Sequence, residues 1–288
     1  MKKISFIIYK FLKLFDSFFK NFFNKSFLIF FNEFFNNDLY IKKKINEKKM
    51  IFFTPNSIIK WRVDTILSKE PETIEWIDSF KSDSKEKIIF WDIGANIGLY
   101  SLYAASKHKN IQVFSFEPSS SNLRVLSRNI SINNFYDKII INQFPLSSEK
   151  FGYAYMNEPN FTEGWAMNSF GLPLDYRGDK FDVEQKYKML GLSIDFILGN
   201  KFLEVPNYIK IDVDGIEDKI LEGGINSLNH VNLKSVSIEL NENYTSQYNN
   251  VFNSMKKIGL DYKQKKHANI YDDDQRFSNL YNYLFEKK

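Results

Sequence analysis

The chain has 288 residues, of which 43% are hydrophobic, and this is enough for one sizeable domain with an appendage. It contains no cysteine, which excludes disulfides, thiolate metal sites and cysteine nucleophiles. The formal charge of +4 comes from lysines scattered among acidic residues, so the composition does not indicate a nucleic-acid partner. The 29 phenylalanines indicate an AT-rich coding bias, which weakens arguments from any single Phe or Lys.

Residues 1–37 predict an amphipathic helix. Apolar side chains recur there at helical spacing with lysines between them, at Ile4, Ile8, Phe11, Phe15, Phe18 and Phe22. Charges interrupt every apolar run before about 18 residues, which disfavours a transmembrane span. The same charges, and the lack of a small-residue cleavage site, disfavour a signal peptide. Two interpretations stay open: a helix docked on the main domain or a dimer partner, and an interfacial helix on a membrane.

The polar run 36–50 predicts a solvated linker or helix end, and we therefore divide the chain into an N-terminal extension, 1–50, and a main domain, 51–288. In the main domain, residues 57–80 form a segment that precedes the first predicted strand, and a helix is predicted to begin within it at Pro71. Its apolar side chains, from Ile74 to Phe80, follow helical spacing.

A strand, a glycine turn and a helix are predicted over residues 87–107. The strand ends at Asp92, and two glycines follow in the run FWDIGANIG. Gly94 would let the backbone turn sharply and approach a ligand, and Gly98 would let the helix start pack tightly on the strand. The Asp92 carboxylate suits a cationic ligand group, such as a sulfonium or an α-amino group, and would repel a pyrophosphate.

The glycine spacing differs from the Gly-x-Gly-x-x-Gly fingerprint of dinucleotide folds, because Ala95 and Asn96 separate the two glycines. A purely structural tight turn stays open for this motif alone. The next strand, IQVFSFEP, ends near Glu117, about 20 residues after the turn, where an acidic residue typically accepts hydrogen bonds from ribose hydroxyls.

Strands and helices alternate from residue 87 onward, which predicts a doubly wound α/β sheet. DKIIINQFPLSS, NYIKIDVD and LKSVSIELNEN provide strands three to five, followed by a helix over 245–258 that ends at Gly259. YKQKKHANI and LYNYLFEKK are the last two strands. Residues 149–192 interrupt the alternation with a predicted hairpin in FGYAYMN and a stretch rich in glycine and aromatic residues; such excursions are usually functional or disordered.

Three carboxylates, Asp212, Asp214 and Glu217, follow the fourth strand, at the sheet edge where open α/β folds bind ligands. Mutual repulsion should raise at least one pKa, which suits a general base, and we take these three as the catalytic candidates. They could also hold a divalent cation. We favour a metal-free site, because no histidine or further clustered acid lies nearby in the sequence.

Three runs, DIGANIGLYS, FEPSSSNLRVLSRNISIN and YIKIDVDGIEDKILEGG, resemble the FkbM-type family of S-adenosylmethionine-dependent methyltransferases. The resemblance covers about two thirds of the chain, from near Trp61 to the carboxyl end. It implies a class I methyltransferase (Rossmann-like) fold, mostly parallel, whose last strand lies antiparallel between strands five and six. It also implies S-adenosylmethionine as cofactor and transfer to a hydroxyl oxygen, most plausibly of a sugar or other alcohol.

The resemblance implies roles for individual residues. The cofactor-binding candidates are Asp92, Gly94, Ala95, Asn96, Gly98, Glu117, Pro118 and Ser147. Substrate-pocket candidates come from the excursion, namely Trp165, Asn168, Ser169 and Phe170, with Arg62 and Lys69 as weaker ones. We expect a cytoplasmic protein with a small-molecule or glycan acceptor, and with membrane contact or homodimerisation through residues 1–37 as open options. Two alternatives remain: a non-catalytic methyltransferase-fold binding module, and a nucleotide-dependent oxidoreductase or epimerase, which the glycine spacing disfavours.

Overall fold

A computed structural model describes residues 1–81, 86–267 and 277–287. The helices are α1 Lys2–Phe23, α2 Leu28–Asp38, α3 Ser57–Thr65, α4 Pro71–Asp78, α5 Leu99–Lys107, α6 Ser120–Ile132, α7 Ile194–Gly199, α8 Glu217–Glu222, α9 Ile225–Leu228 and α10 Thr245–Ile258. The strands are β1 Tyr40–Ile45, β2 Lys48–Phe53, β3 Ile88–Ile93, β4 Ile111–Phe116, β5 Ile139–Asn142, β6 Phe151–Glu158, β7 Ser169–Phe170, β8 Gln185–Leu192, β9 Tyr208–Ile211, β10 Ser235–Asn241, β11 Asp261–Lys266 and β12 Leu280–Glu286.

Seven strands form the central sheet in the spatial order β11-β12-β10-β9-β3-β4-β5. The five strands from β10 to β5 run parallel, and β12 is antiparallel to both of its neighbours. The predicted doubly wound sheet, with an antiparallel last strand between strands five and six, is therefore confirmed. Residues 268–270 of the predicted sixth strand and residue 288 lie outside the described residues.

Helices cover both faces of this sheet, which explains why the central strands are apolar without alternation. All six residues of β3 are buried. Phe90 points into a core that also contains Leu102 of α5, whereas the adjacent Trp91 points into a second core with Ile220 of α8. The carboxyl ends of the parallel strands thus meet at one protected edge.

The prediction of a solvated linker over residues 36–50 is wrong, because β1 and β2 form an antiparallel hairpin there. The two residues of its turn, Asn46 and Glu47, have φ values of 50° and 64°, as two-residue hairpin turns require. Phe53 is fully buried, and its backbone N–H donates to Asn129 Oδ1 of α6 at 2.9 Å. The three consecutive lysines of β1, residues 42–44, hide the pattern of this strand in the sequence. The division of the chain at residue 50 stays a prediction, although it falls within β2.

The predicted N-terminal helix is confirmed, but it is two helices, α1 and α2. Asp16 fixes the turn between them: its Oδ1 accepts hydrogen bonds from Phe27 N at 2.8 Å and from Leu28 N at 3.3 Å. No helix in the described part of the chain is long and apolar enough to cross a membrane.

The excursion over residues 149–192 forms a separate three-stranded sheet in the order β7-β6-β8. The predicted hairpin within FGYAYMN is wrong, because these residues form the single strand β6. Its antiparallel partner is β8, which pairs with it from Phe151↔Leu192 to Glu158↔Gln185. The pairing is long-range, and it places the intervening residues 159–184 beside the carboxyl edge of the central sheet.

Candidate active site

Two adjoining cavities open at the carboxyl edge of the parallel strands, with about 570 Å³ and about 430 Å³ of empty space. They share Gly94, Asn96 and Asp212 in their walls. Ligands of open α/β sheets bind at this edge. The predicted site residues in these walls are Gly94, Ala95, Asn96, Glu117, Pro118, Asp212 and Asp214. Those that lie in neither wall, as far as the chain is described, are Asp92, Gly98, Ser147 and Glu217.

Gly94 is the tightest point of the turn after β3. Its φ is 84°, and a Cβ atom at this position would lie 1.8 Å from the Asp212 carbonyl oxygen. Only glycine fits both the conformation and the contact. The turn is therefore pressed against the loop that follows β9, and its backbone forms the wall between the two cavities.

Gly98 is favoured by the backbone conformation at the start of α5, where its φ is 83°. An added Cβ atom would also lie 2.4 Å from Leu126 Cδ1, at the end of a side chain of α6. The predicted tight packing is therefore against a helix, not against the strand.

The Asp92 carboxylate lies behind the turn and is 1% exposed. Its Oδ2 accepts a hydrogen bond from Ser101 Oγ of α5 at 2.5 Å, while Oδ1 has no partner among the described residues. Burial raises the pKa of Asp92, although the Lys210 ammonium counteracts this. In this geometry Asp92 ties β3 to the first turn of α5 and so holds the glycine turn in place.

The Glu117 carboxylate projects into the larger cavity at the end of β4. It accepts hydrogen bonds from Asn96 N at 2.7 Å and from Ser119 N at 2.8 Å. Burial nevertheless raises the pKa of Glu117 to about 8, because the desolvation cost exceeds what these donors return. A ligand hydroxyl would give this carboxylate a further donor.

The three carboxylates after β9 have different environments. Asp214 lines the larger cavity, and its Oδ2 accepts a hydrogen bond from Met167 N at 2.7 Å. Burial, followed by the charge of Asp212, raises the pKa of Asp214 to about 6. The expected repulsion is thus present, with burial as the larger cause.

Glu217 turns away from the cavities toward its own loop. It is 3% exposed, and it accepts hydrogen bonds from Gly215 N at 3.1 Å and from Gln247 Nε2 at 2.7 Å. Burial raises the pKa of Glu217 to about 8. These contacts suit a residue that shapes the loop carrying Asp214.

Two lysines, of which Lys210 is buried and Lys69 partly exposed, balance the negative charge at this edge. Lys210 is 1% exposed, and its Nζ lies 2.5 Å from Asp212 Oδ2. Burial lowers the pKa of Lys210, but the carboxylates of Asp212, Glu70 and Asp92 outweigh it and raise the pKa above its ordinary value. Burial likewise raises the pKa of Glu70, but the ammonium groups of Lys69 and Lys210 outweigh it and bring the pKa to about 2.

Glu70, Asp212 and Glu239 could hold a divalent cation, since one oxygen from each lies within 4.8 Å of the others. Two of these carboxylates already contact an ammonium group, because Lys69 Nζ lies 2.6 Å from Glu70 Oε1 and Lys210 contacts Asp212. Metal independence stays a prediction.

The loop over residues 160–168 covers the larger cavity. Its Trp165 carbonyl oxygen accepts hydrogen bonds from Asn96 Nδ2 at 3.0 Å and from Asn122 Nδ2 at 3.3 Å. Trp165 Nε1 and Asn168 Oδ1 lack a hydrogen-bond partner within the described residues, and both side chains line the cavity. A buried donor and a buried acceptor at this wall thus have no hydrogen-bond partner within the described residues. Phe170 lines the same wall, whereas the Ser169 hydroxyl donates to Leu172 O at 2.7 Å.

The family model of the methyltransferase FkbM domain matches residues 92–270. The chain belongs to the FkbM methyltransferase family. It is a methyltransferase whose methyl donor is S-adenosylmethionine, and the resemblance noted in the sequence is confirmed. The match begins at Asp92 and includes both carboxylates of the cavity walls after β9.

Two curated relatives are methyltransferases. The chain is 25% identical over 187 residues to the hexuronic acid methyltransferase AglP of Haloferax volcanii, which covers 65% of this chain and 69% of that protein. It is 42% identical over 152 residues to the methyltransferase sdnD of Sordaria araneosa, which covers 46% of this chain and 58% of that protein.

Solved structures with a similar fold include a precorrin-6y C5,15-methyltransferase from Geobacter metallireducens, with 11% identity, a TM-score of 0.42 and coverage of 76% of this chain and 87% of that one. Fibrillarin from Aeropyrum pernix, in complex with natively bound S-adenosylmethionine, has 9% identity and a TM-score of 0.43, and the match covers 86% of this chain and 94% of that one. Likeness at this level does not bear on the substrate.

Sequence reasoning missed part of the charge network. Glu70 is the N-cap residue of α4, some 140 positions from its partner Lys210 in the chain, and no local pattern connects the two. Lys210 carried a signal that was available: a lysine inside an otherwise apolar buried strand needs a carboxylate partner.

Proposed function

We propose that this methyltransferase methylates a hydroxyl oxygen of a sugar or another small alcohol. The observation that supports this most is Asp214, a carboxylate in the wall of the larger cavity with a pKa raised to about 6. It is ionised at neutral pH and basic enough to accept a proton, as the methylation of an alcohol requires. An amine acceptor that is already neutral would need no such base.

The larger cavity fits the nucleoside part of S-adenosylmethionine. We assign the ribose hydroxyls to Glu117, whose carboxylate lies in this wall directly after β4. We assign the adenine to the apolar wall around Pro145 and Leu146, with Trp165 Nε1 and Asn168 Oδ1 as hydrogen-bonding groups still without a protein partner in the described residues. Pro118 lines the same wall.

The methionine part lies, in this proposal, along the Gly94–Asn96 turn where the two cavities meet. When bound, S-adenosylmethionine supplies an electrophilic methyl group, so that a C–S bond breaks as an O–C bond forms. Asp214 accepts the proton that the acceptor hydroxyl loses. Met167 N orients the carboxylate for this role, and Glu217 holds the backbone of the loop that carries it.

We place the acceptor in the smaller cavity, with its reacting hydroxyl where this cavity meets the larger one, so that Asp214 can reach it. The charges of Arg62 and Lys69 in the smaller wall act on the pKa of Asp214, which is consistent with this placement. Its wall includes the cationic side chains of Arg62 and Lys69, and the acidic ones of Glu70, which pairs with Lys69, and of Asp212, which faces both cavities. The Arg62 guanidinium suits an acidic acceptor. Since the relative from Haloferax volcanii is a hexuronic acid methyltransferase, glycans that contain a hexuronic acid are the first acceptors to test.

A binding and turnover experiment tests the proposal. The parent protein should bind S-adenosylhomocysteine in a calorimetric titration and should methylate at least one member of a glycan panel with labelled S-adenosylmethionine. Asp214→Asn should keep the binding and lose most of the turnover. The matched control is Asp218→Asn in the neighbouring helix: Asp218 accepts a hydrogen bond from Asn250 Nδ2 at 2.9 Å and lies in neither described cavity wall. Full turnover by Asp214→Asn would remove this residue as the base.

A further inference from the structure

The N-terminal arm, defined as residues 1–38 with helices α1 and α2, leaves a large apolar face uncovered. Six side chains of α1 lie within an arc of about 80° and are each between 52% and 72% exposed: Ile4, Ile7, Phe11, Leu14, Phe18 and Phe22. We call them the apolar face of α1. Ile8 and Phe15, at 54% and 51% exposure, extend this face on one side. It is therefore broader than the two positions per heptad of a coiled-coil seam.

The opposite side of α1 is basic. The helix contains five lysines and one acidic residue, Asp16, and none of the lysines falls in the apolar arc. Coding bias can explain how many Phe and Lys the arm contains, but it cannot explain their separation onto two sides. Phe6 and Tyr9 are exceptions on the lysine side, and Phe6, which is 56% exposed, makes a control available.

The one acidic residue of α1 does not contribute a free negative charge. Asp16 is 2% exposed, and its carboxylate is engaged by Ser26 Oγ at 2.8 Å and by Lys20 Nζ at 3.3 Å, besides the two backbone N–H groups of the turn. The helix therefore presents an apolar face bordered by Lys2, Lys3, Lys10 and Lys13, which form no ion pair within the described residues, a combination that binds anionic bilayers.

The base of the arm reaches the rim of the candidate active site. Arg124 of α6 donates to Asn36 Oδ1 of α2 at 2.9 Å and forms an ion pair with Glu163. Glu163 is two residues before Trp165, which lines the larger cavity. A ligand bound to the arm would therefore be connected, through Asn36, Arg124 and Glu163, to the loop that covers the larger cavity.

We propose that the N-terminal arm binds the surface of an anionic lipid bilayer, with the apolar face of α1 at the acyl boundary and its lysines at the headgroups. A second copy of the chain is the other occupant to consider. Pairing of two such helices would leave their lysines without acidic partners on the facing helix, whereas anionic headgroups neutralise them. The proposal does not depend on the acceptor or on methyl transfer.

Vesicle co-sedimentation of the full chain tests this. The parent should sediment with vesicles of equal parts phosphatidylcholine and phosphatidylglycerol, should bind phosphatidylcholine vesicles more weakly, and should be released from the anionic vesicles by salt. Phe11→Ser should weaken the binding roughly tenfold or more, because it removes one inserted aromatic ring. Phe6→Ser, the same change on the lysine side, should alter the binding less than about twofold.

Thermal unfolding and S-adenosylhomocysteine binding of both variants should match the parent, since both side chains are exposed. Equal effects of the two substitutions, or a parent that stays in the supernatant with anionic vesicles, would overturn the proposal. So would a dimer in sedimentation velocity without lipid that Phe11→Ser converts to a monomer, because the second copy would then be the occupant.

Discussion

Replacement of Glu117 by Gln should remove a pH dependence of cofactor binding that the parent protein shows. Glu117 is 5% exposed, and burial raises the pKa of its carboxyl group to about 8 in spite of two backbone donors. At about pH 7 roughly one tenth of the protein carries an ionised Glu117, and at about pH 9 roughly nine tenths. Ribose hydroxyls donate more strongly to the ionised form. The affinity for S-adenosylhomocysteine should therefore rise roughly tenfold across this range.

Calorimetric titration across this pH range measures the effect, and buffers of different ionisation enthalpy report the proton released on binding. The Glu117→Gln substitution keeps the size of the side chain but removes its ionisable group, so the variant should bind more weakly and without the slope. Glu222→Gln is the control, since the Glu222 side chain is 55% exposed and its loss should leave the slope intact. Burial also raises the pKa of Glu217, to about 8, and that of Glu239, so a slope that survives in the Glu117→Gln variant would assign the titration to another buried carboxyl group and refute the ribose role.

Three further predictions follow from the same geometry. Gly94→Ala should lower the free energy of unfolding by about 2–4 kcal/mol in urea titrations, because the new Cβ would meet the Asp212 carbonyl. Gly152→Ala is the control and should be nearly neutral, because its Cβ would meet nothing within 4 Å. Equal effects of the two substitutions would contradict this explanation. The kcat/KM of the parent should fall about tenfold per pH unit below about pH 6, where Asp214 becomes protonated. Asp214→Asn should be roughly 10²–10⁴-fold slower and should not show this decrease at low pH. A variant that still shows the decrease would exclude Asp214 as the general base. The pKa of Glu217 is higher in the folded than in the unfolded protein, so its contribution to the free energy of unfolding without cofactor should be largest below about pH 4.5. This contribution should be lost, by a few kcal/mol at most, as the pH rises through about 8. A urea midpoint that increases over this range would contradict the prediction.

The central sheet was predictable because its signals are local. Each buried strand is an apolar run, each crossover helix has its own period, and Gly259 ends α10 in the left-handed conformation that glycine favours. The hairpin β1–β2 was not predictable in the same way, because its packing depends on distant residues. Asn129 of α6 and Asn133, the C-cap residue of α6, accept hydrogen bonds from the backbone of β2 from about 80 residues away.

The site was predictable to the extent that a strand end fixes where a side chain begins. Glu117 and Asp214 line the cavity because they closely follow β4 and β9. Sequence spacing does not determine where a carboxylate turns afterwards: Glu217 lies only three positions beyond Asp214, yet it bonds back onto the loop backbone. Glu70 joins the cluster from α4, and only the folded chain brings it to Lys210.

The proposed transfer of a methyl group to a hydroxyl oxygen is tested most directly by locating the methyl group on the product. The parent protein, labelled S-adenosylmethionine and glycans that contain a hexuronic acid should give a methyl ether, identified by carbon NMR, and Asp214→Asn should give little of it while still binding S-adenosylhomocysteine. A methyl group found on a carboxylate or a nitrogen, with full activity in Asp214→Asn, would contradict the account.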